Sequence, residues 1–147
     1  MTPLDMIRML EEGCEGTITM SYHYTAAVTL LALLLYLGTM FNAGRARGVY
    51  KIPAPAVTGN EHFERAYRVQ MNTLEQLIVL LPVLWIYAMS LNDIGAAVGG
   101  GIWILGRLIY AFSYIRKPAS RGAGYGIGAI ALIGLYLGAA YGVIISL

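Results

Sequence analysis

The sequence predicts an all-α integral membrane protein, a four-helix bundle, and three observations carry that prediction. Charged residues make up 12% of the chain, about half the roughly 25% usual in soluble domains. Hydrophobic residues reach 58%. Four apolar stretches, at about 20–41, from a polar start to residue 90, at 95–114 and at 125–147, each approach the ~20 residues a helix needs to cross the hydrocarbon core.

The elements follow in order. Residues 1–19 hold Asp5, Glu11, Glu12 and Glu15 against Arg8, whereas a signal peptide opens with positive charge. That segment is expected outside the bilayer, with 20–147 forming one membrane domain. Cys14 is the single cysteine, so no internal disulfide is expected. The first span includes AAVTLLALLLYLGTM, and Pro53 and Pro55 mark the loop after it as non-helical. The second span passes through LIVLLPVLWIYAMS. Its Pro82 is tolerable because neighbouring helices can satisfy the freed carbonyl. Asn92 and Asp93 divide the second and third spans so briefly that the two are expected to form an antiparallel hairpin. Pro118 breaks the helix after the third. In the last span Gly134, Gly138 and Gly142 form a small-xxx-small stripe suited to close helix packing, and Gly95 and Gly99 offer a shorter version.

Charge placement sets orientation. Arg45, Arg47, Lys51, Arg116, Lys117 and Arg121 follow the first and third spans, and the other side has only Arg8. The positive-inside rule puts both basic loops in the cytoplasm and both termini on the opposite side. A net charge of only +2 gives no reason to expect nucleic acid. His23 and His62 lack companions at metal-ligand spacing, so no metal site is expected. The run Gly124-Tyr-Gly-Ile-Gly-Ala has no strand before it and continues into the bilayer, so a dinucleotide fingerprint is rejected.

The chemistry concentrates in EHFERAYRVQMNTLEQL, residues 61–77. On a helix, Arg65, Arg68, Asn72 and Glu75 fall within roughly 80° of one another. Ionisable groups at membrane depth normally face a cavity or another helix. Two readings fit. Guanidinium forks suit carboxylates, and a carboxylate with an amide suits an ammonium and a peptide, so the face fits a small zwitterion with several carboxylates. The same residues could instead form a salt-bridge network, between Arg68 and Glu75 or between subunits, and such a network could also pre-organise the site. Arg107, Tyr110 and Tyr114 share a face of the third span. The tyrosines by themselves could simply anchor at the interface, but Arg107 lies about two turns inside. Arg121, at the start of the last helix, is by itself either a topology charge or a group that would favour a bound thiolate.

The pattern Glu64-Arg65-x-x-Arg68-x-x-x-Asn72-x-x-Glu75 resembles the signature of the MAPEG superfamily, membrane-associated proteins in eicosanoid and glutathione metabolism. RLIYAFSYIRKPASR, residues 107–121, is similar to that family's third-helix end and following loop. With the four spans, the short second loop and the basic first loop, the resemblance covers the chain from about residue 20. It implies a homotrimer of four-helix subunits, with glutathione as co-substrate bound between neighbours near the cytoplasmic side. It implies that Arg68, Asn72 and Glu75 contact the tripeptide with Gln70 close by, that Arg47 helps hold a carboxylate, and that Arg65 supports them. It implies that Tyr110 and Tyr114 line the site and that Arg121 stabilises the thiolate, with the Tyr114 hydroxyl as an additional donor.

After Glu75 the eicosanoid enzymes commonly carry an aromatic residue, and here Gln76 stands instead. The expectation is therefore a membrane-bound glutathione transferase or peroxidase acting on a lipophilic electrophile, with no eicosanoid substrate assigned. The rival is a non-catalytic lipid- or glutathione-binding membrane scaffold. A small transporter is disfavoured because the polar residues cluster toward one side.

Overall fold

A computed structural model describes residues 22–117 and 122–147. Four helices follow in sequence: α1 (His23–Val49), α2 (Glu61–Ser90), α3 (Asp93–Arg116) and α4 (Gly122–Ile145). The all-α bundle predicted from composition is thus found, and all four helices are long and apolar enough to cross a membrane. The central pair is α2 and α3. Helix α1 packs on both of them, and so does α4. The N-terminal segment assigned to 1–19 lies outside the described residues.

Large side chains fill the middle. Trp103 from α3, Leu77, Leu80 and Leu84 from α2, and Leu135 from α4 form one buried cluster. Leu30, Leu34, Phe41, Ile78, Phe112, Ile130 and Leu137, by contrast, lie exposed on the outside of the bundle. In water so much apolar surface would be a liability. In hydrocarbon it is the ordinary exterior, because there the backbone and not the side chains must be satisfied internally.

One boundary differs from the sequence expectation. Helix α1 runs eight residues past Phe41, so Arg45 and Arg47 stand on its last turns and not in a loop. Arginine is a good helix former, and a cation near a helix C-terminus meets the partial negative charge there. Helix α2 is continuous through Pro82, which lies on its exposed side.

The turn at Asn92 joins two helix starts. The Asn92 side chain accepts from Gly95 N and caps α3. Asp93 accepts from Thr25 N at 2.8 Å and Tyr24 N at 3.1 Å. Tyr22, the residue before α1, supplies no side-chain cap of its own, so a carboxylate from α3 satisfies the donors that α1 would leave open. Asp93→Ala is expected to lower the thermal midpoint in detergent by a few degrees, with Asn at this position recovering part of the loss. An unchanged midpoint would show the cap to be dispensable.

Glycines bring α3 and α4 into backbone contact. A methyl group on Gly106 would stand 2.6 Å from Gly128 N, and one on Gly124 would collide with the backbone of Tyr110. The run discarded as a nucleotide fingerprint therefore supplies the tightest helix crossing. The expected Gly134/Gly138/Gly142 stripe divides: Gly138 faces Tyr87 and Gly142 faces Ser90 and Leu91, while Gly134 has no neighbour. Gly99 receives Leu135, and Gly95 lies against Tyr87 and the Asn92 cap.

Candidate functional site

The site begins where α2 begins. Asn60 Oδ1 accepts from His62 N at 3.0 Å and Phe63 N at 3.4 Å, closing the helix N-terminus. Glu64 accepts from Gly59 N at 2.8 Å and ties the incoming loop to the first turn. Arg65 pairs with Glu61 one turn back and reaches the carbonyl of Ile115 at 3.5 Å, joining α2 to the end of α3.

One and two turns further, Arg68 and Asn72 face a cavity of about 570 Å³ that they share with Tyr110 and Tyr114 of α3 and Gly122 and Tyr125 of α4. A second hollow of about 330 Å³ continues from it past Arg68 and Tyr114 to Glu61, Glu64 and Thr58. The two hollows share Arg68 and Tyr114, which form the rim between them. Arg68 does not pair with Glu75. Glu75 instead accepts from Asn72 Nδ2 at 3.3 Å, so the internal Arg68–Glu75 ion pair is not formed and the Arg68 fork faces open space.

Behind this face lies Arg107, 1% exposed. Its Nη1 donates to Asn72 Oδ1 at 3.1 Å and its Nη2 to Thr73 Oγ1 at 2.8 Å. Its guanidinium sits 4.1 Å from the Tyr110 ring centroid, the geometry of a cation over a π face. Thr73 can accept because its own hydroxyl proton goes to Val69 O, at 2.7 Å. Asn72 is therefore held by its oxygen on Arg107, and its amide nitrogen is left for Glu75 and the cavity. Sequence spacing showed Arg107 on a face with the tyrosines, but it gave no sign of the bonds to Asn72 and Thr73.

Gln76, the departure from the family pattern, accepts from the indole of the fully buried Trp103 at 3.0 Å. An aromatic residue there would have to meet that N–H some other way, since a buried donor without a partner is costly. Trp103 was not singled out from sequence, and neither was Tyr125, whose ring lies 6.4 Å from that of Tyr110. Tyr125 has no polar neighbour in sequence to distinguish it from an interfacial anchor.

Arg47 and Gln70 fall elsewhere. They line a separate groove of about 280 Å³ with Met40, Phe63 and Tyr67. Arg47 donates to Ala56 O at 2.8 Å and lies 4.7 Å from the Phe63 ring centroid, so within one chain it holds the first loop. A single chain therefore brings together Arg68, Asn72, Glu75, Tyr110 and Tyr114, but not Arg47 or Gln70. Arg121 lies outside the described residues. Among the described residues no group of three His, Cys, Asp or Glu side chains could hold a metal.

Comparison with known proteins identifies the family. The chain matches the MAPEG family over residues 25–141. It is 45% identical to an uncharacterized protein of Synechocystis sp. over 116 residues, covering 79% of this chain and 85% of the relative. It is 34% identical to human microsomal glutathione S-transferase 2 over 112 residues, covering 75% of this chain and 76% of the relative. It is 34% identical to leukotriene C4 synthase of Cavia porcellus over 96 residues, covering 65% of this chain and 64% of the relative. The match takes in all four helices and the polar stripe on α2, and the chain belongs to the MAPEG family.

Proposed function

We propose that this protein is a membrane-bound glutathione transferase that conjugates glutathione to a lipophilic electrophile. The observation that carries this reading is the cavity in which Arg68, Asn72, Tyr110 and Tyr114 converge, in a chain whose relatives include a microsomal glutathione S-transferase.

The residues suit the ligand. Glutathione carries two carboxylates, an ammonium, two amides and a thiol. The open Arg68 fork fits a carboxylate bidentately. Glu75 has oxygen lone pairs left for the ammonium, and Asn72 presents its amide to a peptide group. Arg121, by resemblance, stabilises the thiolate electrostatically, and Gly122, next in sequence, lines the cavity. The Tyr114 hydroxyl is a further donor. Thiolate sulfur then attacks the electrophilic carbon, the leaving group departs with its electron pair, and the thiol proton passes to solvent. The protein contributes no nucleophile. A peroxide as the electrophile would make the same site a peroxidase.

Arg47 and Gln70 enter this reading through assembly. Their groove opens between α1 and α2, whereas the Arg68 cavity opens between α2, α3 and α4, so a closed homotrimer could set the groove of one subunit against the cavity of the next and complete one site from two chains. The basic ends of α1 and α3 face the cytoplasm in this reading, so glutathione arrives from that side and the electrophile from the bilayer.

Calorimetry on the purified protein in detergent tests the reading. Wild type is expected to bind glutathione, and Arg68→Ala to bind it roughly 10- to 100-fold more weakly, about 1.4–2.7 kcal/mol. Conjugation of 1-chloro-2,4-dinitrobenzene should follow the same order. Absence of glutathione binding by wild type overturns the proposal. Binding without conjugation would leave a non-catalytic glutathione-binding protein.

A further inference from the structure

A third hollow lies at the basic end of the bundle, away from the Arg68 cavity and the Arg47 groove. It occupies about 210 Å³ between the ends of α1 and α3 and the start of α2. Asn42 and Arg45 enter it from α1, Tyr50 from the residue after α1 and His62 from α2, with Val49 and Ile115 among its apolar walls. The side chains of Asn42, Arg45 and His62 make no hydrogen bond or ion pair with the described residues. His62 only stacks on Tyr50, at 5.7 Å between centroids. Such a group of donors around a preformed hollow, with no acceptor among the described residues, suits an acceptor from outside.

Depth and surroundings indicate which one. Arg45 follows His23 by 22 positions, about 33 Å of helix at 1.5 Å per residue, slightly more than the ~30 Å thickness of the hydrocarbon core. The hollow is thus at headgroup level. Leu31, Leu34, Gly38, Asn42 and Arg45 recur at helical spacing on one side of α1. Leu31 and Leu34 are exposed, and nothing lies within 4 Å of a methyl group placed on Gly38. An open apolar track therefore leads to the hollow. Among the described residues the lining contains a guanidinium and no carboxylate, so it suits an anionic group and offers nothing to the cationic half of a zwitterion.

We propose that this hollow binds the phosphate of an anionic phospholipid, with Arg45 as its main contact, Asn42, Tyr50 and His62 as further donors, and an acyl chain lying along Leu31 and Leu34. Basic residues at a membrane boundary attract anionic lipid in any case, so the test must separate a built site from a diffuse field. Arg116 is an exposed arginine at the same end that does not line the hollow, and it serves as the control.

Native mass spectrometry of the full chain, titrated in detergent with phosphatidylglycerol, reads the binding directly. Wild type is expected to retain the lipid. Arg45→Gln should weaken retention at least tenfold, Arg116→Gln should not, and phosphatidylcholine should bind at least tenfold more weakly than phosphatidylglycerol. Arg45 has no partner to lose among the described residues, so the variant should fold and conjugate glutathione like wild type. Equal retention by Arg45→Gln and wild type overturns the proposal, as does equal weakening by both variants. Equal binding of phosphatidylcholine overturns the charge requirement. Displacement of the lipid by inorganic phosphate or glycerol 3-phosphate at equal concentration identifies a free-anion site and overturns the lipid assignment.

Discussion

Gly124→Ala is expected to lower conjugation about 100-fold and to lower the thermal midpoint, although it adds a single methyl group. The added carbon would collide with the main chain of Tyr110, and backbone cannot rotate away as a side chain can. Helices α3 and α4 must separate, or Tyr110 must move. Overpacking of this kind costs roughly 1–3 kcal/mol, occasionally more. Tyr110 and Tyr125 line the Arg68 cavity from the two helices, so the shift reaches the site, where a misplacement of about 1 Å can cost ~100-fold in rate. Gly126 stands two residues on and Gly134 ten, and nothing lies near either. Gly126→Ala and Gly134→Ala should therefore be close to neutral, with any gain limited to the ~1 kcal/mol by which alanine exceeds glycine in a helix. Comparing thermal midpoints and conjugation rates of the three variants measures this directly. Equal effects at all three positions would refute the close crossing.

Arg107→Met is expected to damage glutathione binding more than it damages the fold. The wild-type guanidinium makes two charge-assisted bonds, to Asn72 and Thr73, each worth about 1.5–3 kcal/mol by deletion. Its removal also ends the expense of keeping a charge out of water, and apolar replacement of buried charge is often close to neutral for stability. The two effects largely offset in the fold but not in the site. Without Arg107 the Asn72 amide can turn over, and the nitrogen it presented to Glu75 and the cavity is no longer held in place. Glutathione affinity should fall about 10- to 100-fold, or 1.4–2.7 kcal/mol, with a smaller change in thermal stability. Arg107→Lys should fall between, since an ammonium lacks the planar fork that reaches Asn72 and Thr73 together. Unchanged affinity in the Met variant would remove Arg107 from the site.

The α2 stripe was legible because its residues are close in sequence. Arg65, Arg68, Asn72 and Glu75 share a helix, and 3.6 residues per turn is enough to place them on one face. The family pattern rests on the same local spacing and on the Tyr110, Tyr114 and Arg121 run. Residues 1–19 and Arg121 lie outside the described residues. Two expectations were local in form but depended on partners. Arg47 and Gln70 were grouped with Arg68 by resemblance, yet one protomer places them in another groove. Gly134 was counted with Gly138 and Gly142 by spacing, yet only the latter two meet another helix.

Composition and periodicity alone determined that this is an all-α membrane chain with four spans, a short α2–α3 turn and a polar face on α2. Those properties depend on the hydrophobicity of neighbouring residues and on helix geometry, both of which can be read along the chain. Tertiary structure alone decided that Arg107 orients Asn72, that Trp103 satisfies Gln76, that Tyr125 joins the cavity and that Asp93 caps α1. Each of these depends on which groups meet between helices, at separations of 15 to 69 residues in sequence. Such meetings are set by the rotation and closeness of packed helices, and at Gly106, Gly124 and Gly128 that closeness follows from the absence of any side chain.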